Sequence, residues 1–341
     1  MSAAKQLLLG ALRLRAVQHP LAWLLRDRAT VLMLHRFAAP DRGVAGHDPQ
    51  QLRAMLAALR RENYQLLSLR DLVRRLQDER APLKRAVAFT IDDGYFDQSE
   101  VAGPVFAEFD CPVTTFVCTG FLDGELWMWW DRIETVFRQT RQRGLRVPIG
   151  DGAWSAEWND DAARLAAQWS FTEACKTVPD AEKHAAIARL AAAGEVALPV
   201  TPPPAYAPMT WDQLRAAERR GMSFGAHTRT HPVLSRASDE QAPREIRESC
   251  ERLAQEAHDP DPVFCYPNGQ RGDFGDRETR ALAELGIEAA VVGYPGYAER
   301  FEKGSSEQFR LRRFSYSEEP FEMTQYLSGF ERLKALVRRE A

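Results

Sequence analysis

The stretch Ala86-Val-Ala-Phe-Thr-Ile-Asp92-Asp93-Gly94-Tyr95 constrains this chain more than any other. A run of mostly apolar, β-prone residues leads straight into two adjacent carboxylates and a glycine. An uninterrupted apolar run of this kind reads as a strand buried on both faces, the habit of parallel sheets. The Asp-Asp-Gly reads as the turn leaving its C-terminal end, and Asp-Gly alone is ordinary turn chemistry. Two like charges side by side cost energy unless something positive sits near them. A bound cation is one answer, and histidines further along offer matching ligands.

Taken in order, Val31-Leu-Met-Leu-His35 is a first short strand ending in a histidine. Asp48 with Pro49 opens a helix whose apolar stripe is Leu52, Met55, Leu56 and Leu59. Leu69 to Leu76 gives a second helix, and the Asp-Asp strand follows. Asp97 to Phe109 reads as helix and Cys111 to Cys118 as the third strand. Strands alternating with helices favour a parallel sheet.

From Phe121 to Pro208 the rhythm breaks. This stretch is helical in pattern, carries Trp127, Trp129, Trp130, Trp154, Trp158 and Trp169, and ends in the proline-rich Val200 to Pro208. It is expected to be a helical insertion, at about 121–209, whose tryptophans are packing residues or sugar-stacking platforms. Thr210-Trp-Asp-Gln213 is a capping box. Met222 to His227 is the fourth strand, Ser238 to Ala257 a charged amphipathic helix, and Val263 to Tyr266 the fifth strand, closed by Pro267-Asn268-Gly269. Asp276 to Leu285 reads as helix, Ile287 to Val292 and Phe309 to Ser315 as the last strands, and Phe321 to Arg338 as a final helix.

Seven such strands suit a βα barrel or a doubly wound sheet. The barrel is favoured because His35, Asp92, Asp93, His227 and Asn268 all fall at or just past the C-terminal ends of different strands. In a βα barrel those ends form one mouth, where active sites are built.

At 341 residues the chain has room for one large domain or two ordinary ones, and a net charge of -3 gives no hint of a nucleic-acid partner. Five cysteines without a C-x-x-C pair argue against a disulfide framework or a cysteine-held zinc knuckle and fit a reducing compartment. Residues 1–28 interleave leucines with arginines and read as an amphipathic helical segment preceding a barrel at 29–341. That segment either packs on the outside of the barrel or lies on an anionic membrane surface. Arg13 and Arg15 interrupt its apolar run and no small-residue cleavage site follows, so a cytoplasmic protein, peripheral at the inner membrane face in the second case, is expected.

His227-Thr-Arg-Thr-His231-Pro232 places two imidazoles three residues apart just after a strand. Imidazole is the commonest metal ligand. Two histidines and an aspartate with an open position form the arrangement of a catalytic zinc or similar divalent ion. Thr90-Ile-Asp92-Asp93-Gly94 and His227-Thr-Arg-Thr-His231-Pro232 resemble, in the same order, the two signatures of the polysaccharide deacetylases, the NodB-homology or carbohydrate esterase 4 group. The resemblance spans about Val31 to Ser315. It implies a distorted (β/α)7 barrel in which Asp93, His227 and His231 hold a divalent metal, Zn2+ foremost and Co2+, Ni2+ or Mn2+ as alternatives, with Asp92 as general base. It also implies hydrolysis of an N-acetyl group on an amino sugar of a polysaccharide, oligosaccharide or lipid-linked glycan, with the turn holding Asn268 supplying a backbone donor to the developing oxyanion.

Two departures from the family pattern stand out. Cys265 occupies the place of an arginine that orients the base, and Arg313 on the last strand is the candidate substitute. No histidine follows His258, so the usual C-terminal general acid is missing. Leu32-Met-Leu-His35 resembles instead the subset typified by poly-N-acetylglucosamine deacetylases, which carries the acid on the first strand, and His35 would then protonate the departing amine. The other four histidines are expected at the surface. Hydrolysis of another small amide or formyl group, or a catalytically inactive sugar-binding role, are the alternatives.

Overall fold

The computed structural model describes residues 23–338. Most of the expected N-terminal helix, residues 1–22, lies outside the described residues. Among those described, no helix is long and apolar enough to cross a membrane.

Seven strands build a distorted (β/α)7 barrel: β1 (Arg28–Leu34), β2 (Ala86–Asp93), β3 (Val113–Val117), β4 (Met222–Ala226), β5 (Val263–Cys265), β6 (Ala289–Val291) and β7 (Phe314–Ser315). β1 to β4 pair in chain order and in parallel. β5 pairs with β6, a parallel bridge joins Val291 to Leu311, and β7 returns to β1 at Leu32–Phe314. The seam lies between β4 and β5, where no strand ladder is present among the described residues. There the Asp261 N–H donates to the Phe224 carbonyl at 2.7 Å. Gly225 is required at this seam, since a Cβ on it would lie 2.6 Å from the Val263 carbonyl oxygen.

Within β2 the apolar run divides by period two. Val87, Phe89 and Ile91 join the core shared with Leu52, Leu56, Val105 and Phe106 on the surrounding helices. Ala86 and Ala88 join the core shared with Val31, Val263, Ala289 and Val291 of other strands. Thr90 and Asp92, on that same inward face, meet the buried Arg313 side chain. Leu69, Leu72, Val73 and Leu76 belong to the same cluster as Ala86 and Ala88 and close one end of the barrel.

The helices outside begin with α1 (Pro49–Arg61), α2 (Leu69–Gln77) and α3 (Gly103–Glu108). Asp48 caps α1, accepting the Gln50 N–H at 2.8 Å with Pro49 in the first turn. The helix expected from Asp97 opens instead as a π-helical turn, Gln98–Ala102, before α3. Its Gln98 side chain is drawn inward to strand-end backbone groups, a tertiary demand that overrides the regular helix.

α4 (Trp129–Gln139), α5 (Asp161–Thr177) and α6 (Asp180–Ala193) share a core of Ile133, Phe137, Trp154, Trp158, Phe171 and Leu190. The expectation of an all-helical insertion needs correction here. Gly144–Ile149 and Gly152–Glu157 form an antiparallel hairpin through the turn at Gly150 and Asp151. Leu145 and Val147 face the insertion core while Arg146 and Pro148 face solvent, a period-two pattern too short to stand out beside the long helices.

α7 (Trp211–Glu218) starts with the expected capping box at Thr210 and Gln213. α8 (Gln241–Glu256) and α9 (Asp276–Glu284) follow. The single final helix expected from Phe321 is two, α10 (Pro320–Ser328) and α11 (Phe330–Val337), broken at Gly329 with φ +86°.

Candidate metal centre and active-site cleft

The register of the barrel assembles the site. Leu34 pairs with Ile91, and Asp93 pairs with Val117, which pairs with Ala226. The next residues, His35 after β1 and His227 after β4, therefore come level with the Asp92-Asp93 end of β2. They open onto one cleft of about 560 Å³ that also involves Trp130, Asp131, Glu134, Asn268 and His231. Asp93, Thr228, His231 and Asn268 all have positive φ, between 56° and 93°. Such backbone is uncommon for non-glycine residues and gathers at functional sites.

Nε2 of His227 and Nε2 of His231 each lie 3.7 Å from the same Asp93 Oδ1. The rings stand edge to face, 4.8 Å between centroids. His227 Nδ1 is 2.7 Å from the Cys265 carbonyl oxygen. A carbonyl only accepts, so the ring proton is on Nδ1 and Nε2 turns a bare lone pair toward Asp93. Burial pushes the His227 imidazole down to about 4 and that of His231 well below its usual value, so both are neutral donors at neutral pH. Burial, then the neighbouring Asp92 and Asp131 carboxylates, push the Asp93 carboxyl well up. Two neutral imidazoles and a carboxyl oxygen converge, a donor set that fits a divalent cation, whose binding would displace the proton that burial favours on Asp93. Asp92, His227 and Cys265 form a second close group. It fits less well, because Arg313 occupies both Asp92 oxygens and burial pushes the Cys265 thiol up.

Arg313 is buried with its guanidinium laid against Asp92. Nη1 donates to Oδ1 and Nη2 to Oδ2, each at 2.7 Å. Nε donates to the Val292 carbonyl, Nη1 to Thr90 Oγ1 and Nη2 to Cys265 Sγ. The small Cys265 thus leaves room for an arginine arriving from the β7 region. Burial alone would raise the Asp92 carboxyl; the charge and hydrogen bonds of Arg313 hold it well below the usual range. His35 Nε2 lies 4.0 Å from Asp92 Oδ2 with its side chain 47% exposed to the cleft. Desolvation by the surrounding walls outweighs the pull of Asp92 and lowers its pKa. Asn268 places a buried Nδ2 donor that has no partner among the described residues.

Three supports were not anticipated from the sequence. Gln98 Nε2 donates to the His35 carbonyl at 2.7 Å while its Oε1 accepts the Gly94 N–H at 3.1 Å, tying two strand ends together. Glu245 on α8 accepts the Arg229 and Thr230 N–H groups at 3.0 and 2.8 Å and the Thr230 hydroxyl at 2.6 Å, fixing the loop between the two histidines. Trp130 on α4 packs edge-on to His231, 4.6 Å between centroids. Of these, only Trp130 belongs to a cluster conspicuous in the sequence. Trp127, Trp129, Trp154 and Trp158 are buried packing residues, whereas Trp169 is 66% exposed. The expectation that the other histidines are surface residues needs adjusting for His47, which is half-buried and packs on Tyr316.

Residues 186–290 match the family described as polysaccharide deacetylase. That segment includes His227, His231 and the Cys265–Gly269 turn; β2 with its two aspartates lies before it. No curated protein matches the chain. Among solved structures, the Streptococcus pyogenes deacetylase PplD in complex with acetate is similar at 18% identity with a TM-score of 0.57, over 89% of this chain and 99% of that one. IcaB from Ammonifex degensii is similar at 13% identity, TM-score 0.55, over 89% and 97%. A de-N-acetylase from Aggregatibacter actinomycetemcomitans is similar at 14% identity, TM-score 0.52, over 86% and 96%. At these identities the likeness is one of fold.

Proposed function

We propose that this chain, a polysaccharide deacetylase by its matched segment, its fold and its two signatures, hydrolyses the N-acetyl group of an amino sugar within a glycan. The observation that carries this reading is the convergence of Asp93, His227 and His231 beside an Arg313-held Asp92 in one cleft. Asp93, His227 and His231 would hold a divalent ion, and zinc suits this donor set best. When bound, such an ion acts as a Lewis acid that acidifies water and polarises a carbonyl.

The protein's own groups account for the proton movements. Asp92, kept ionised by Arg313, takes a proton from water as the water oxygen bonds to the acetyl carbon. Asn268 Nδ2 is a donor available to the charge that develops on the acetyl oxygen. The proton has a short path to the leaving nitrogen through His35, 4.0 Å from Asp92. Half open to the cleft, His35 is placed to receive that proton and deliver it. Breaking the C–N bond yields acetate and a free amine on the sugar.

The test is acetate release from a panel of N-acetylated polysaccharides, oligosaccharides and lipid-linked sugars, with and without a chelator. Chelator-sensitive release from at least one class is expected and tells which acceptor is used. A protein that takes up no zinc or cobalt after dialysis and releases no acetate from any member overturns the reading.

A further inference from the structure

The cleft extends beyond the reacting centre along α4, where Asp131, Glu134 and Arg138 line one side and Arg36, Tyr95 and Tyr206 others. Its charges do not cancel. Arg36 is committed to Asp97 at 3.0 Å and to the Ala205 carbonyl at 2.6 Å. Arg138 is committed to Glu134 at 3.8 Å and to the Tyr206 hydroxyl at 2.9 Å. Asp131 remains. Its side chain is 3% exposed, and it forms no ion pair among the described residues. Tyr95 donates its hydroxyl to Oδ2 at 2.7 Å and itself accepts the Trp130 indole N–H at 3.0 Å. Trp130 packs on His231, so the carboxyl stands one residue from the wall of the metal centre.

Burial pushes the Asp131 carboxyl up to about 8, with only the Tyr95 hydroxyl and the more distant Arg36 guanidinium opposing it, so its ionised form is costly unless an occupant brings a cation to it. The reaction proposed above generates such a charge on its own polymer, because every deacetylated sugar carries an ammonium. Building on that reading, we infer that Asp131 marks a subsite for the ammonium of an already deacetylated sugar adjacent to the one being cut. Glu134, one turn further on the same helix, lies beside it with its carboxylate partly exposed. A sugar hydroxyl supplies a hydrogen bond but no charge, and so does nothing to favour the ionised carboxylate. The consequence is that partly deacetylated chains bind better than fully acetylated ones, so deacetylation spreads to neighbours of earlier cuts.

Binding is measured by calorimetry on the full-length, zinc-loaded protein, with a glucosamine pentamer and an N-acetylglucosamine pentamer as separate probes. This readout needs no turnover, so it stands apart from the acetate assay. Asp131→Asn preserves the acceptor for Tyr95 and is the variant of choice; near- and far-ultraviolet circular dichroism report its fold. The expected result is that Asp131→Asn weakens glucosamine-pentamer binding by at least about tenfold more than it weakens N-acetylglucosamine-pentamer binding, with a tenfold change being about 1.4 kcal/mol. Equal losses for both probes, no loss for either, or no binding of the glucosamine pentamer by the unaltered protein each overturn the proposal. If Asp131→Asn fails to fold, Glu134→Gln with the same two probes decides it by the same criterion.

Discussion

Arg313 and Asp92 face each other through two parallel hydrogen bonds of 2.7 Å inside the barrel, both side chains almost wholly withdrawn from water. Paired, the two charges compensate each other. Removing one leaves the other buried and alone, at a cost of about 3–5 kcal/mol. Arg313→Met is therefore expected to lower unfolding stability by roughly that amount in urea titration. The double variant Arg313→Met/Asp92→Asn should regain most of the loss. Additive losses in the two single variants would show that the pair is not the source of the penalty.

His35 and Asp92 should separate from the metal ligands by their effects. Asp92→Asn is expected to abolish acetate release while metal content, read by elemental analysis, stays near that of the unaltered protein. His35→Ala should slow turnover by roughly 10²–10⁴-fold, also with metal retained. His231→Ala should instead strip the metal. Loss of metal in Asp92→Asn would reverse the roles given to the two aspartates.

Glu245 touches neither the cleft's reacting groups nor a metal ligand's side chain, yet it holds the backbone between His227 and His231. Glu245→Ala is expected to weaken zinc affinity by about 10–100-fold, the range typical of lost outer supports. Glu245→Gln, which keeps an acceptor for the backbone, should recover part of it. Competition with a fluorescent zinc chelator measures both.

Asp261 predicts a pH dependence of stability that runs against ordinary acid denaturation. Burial, only partly offset by the Thr114 hydroxyl, pushes its carboxyl up to about 6, and its Oδ1 has no partner among the described residues. The folded chain therefore binds more protons than the unfolded chain between about pH 4 and 6. The contribution of this group is fully present below pH 4 and is lost as the pH rises through 6. Asp261→Asn should be more stable than the unaltered protein at pH 7 by about 2–3 kcal/mol, with the gap closing toward pH 4. Thermal melts of both proteins across that range measure the difference. A gap that does not change with pH would remove Asp261 from the account.

The barrel strands and the site-bearing strand ends were legible because each carries a local signature: an apolar run, then a polar residue where the run stops. Arg313 was also within reach, since Cys265 left a carboxylate without a cation and a cation stood near the last strand. Gln98, Glu245 and Asp131 were not. Each is an ordinary polar residue of a helical segment, and its role depends on which strand end or loop that segment packs against. The hairpin at Gly144–Glu157 was hidden for a related reason, because its alternation is brief and its inward face meets helices distant in sequence. The break at Gly329 rests on one glycine in an otherwise helical pattern, which a sequence reading passes over.

The seam between β4 and β5 gives the His227 ring a second duty. Among the described residues no ladder stitches those strands, and at the mouth the contact from His227 Nδ1 to the Cys265 carbonyl spans the gap like a clasp, as Asp261 does at the opposite rim. Catalytic centre and scaffold thus share a fastener. A chain that loses this imidazole would forfeit a proposed ligand and unbutton its barrel in one stroke, so inactivity in such a variant says little about chemistry until its foldedness has been weighed separately.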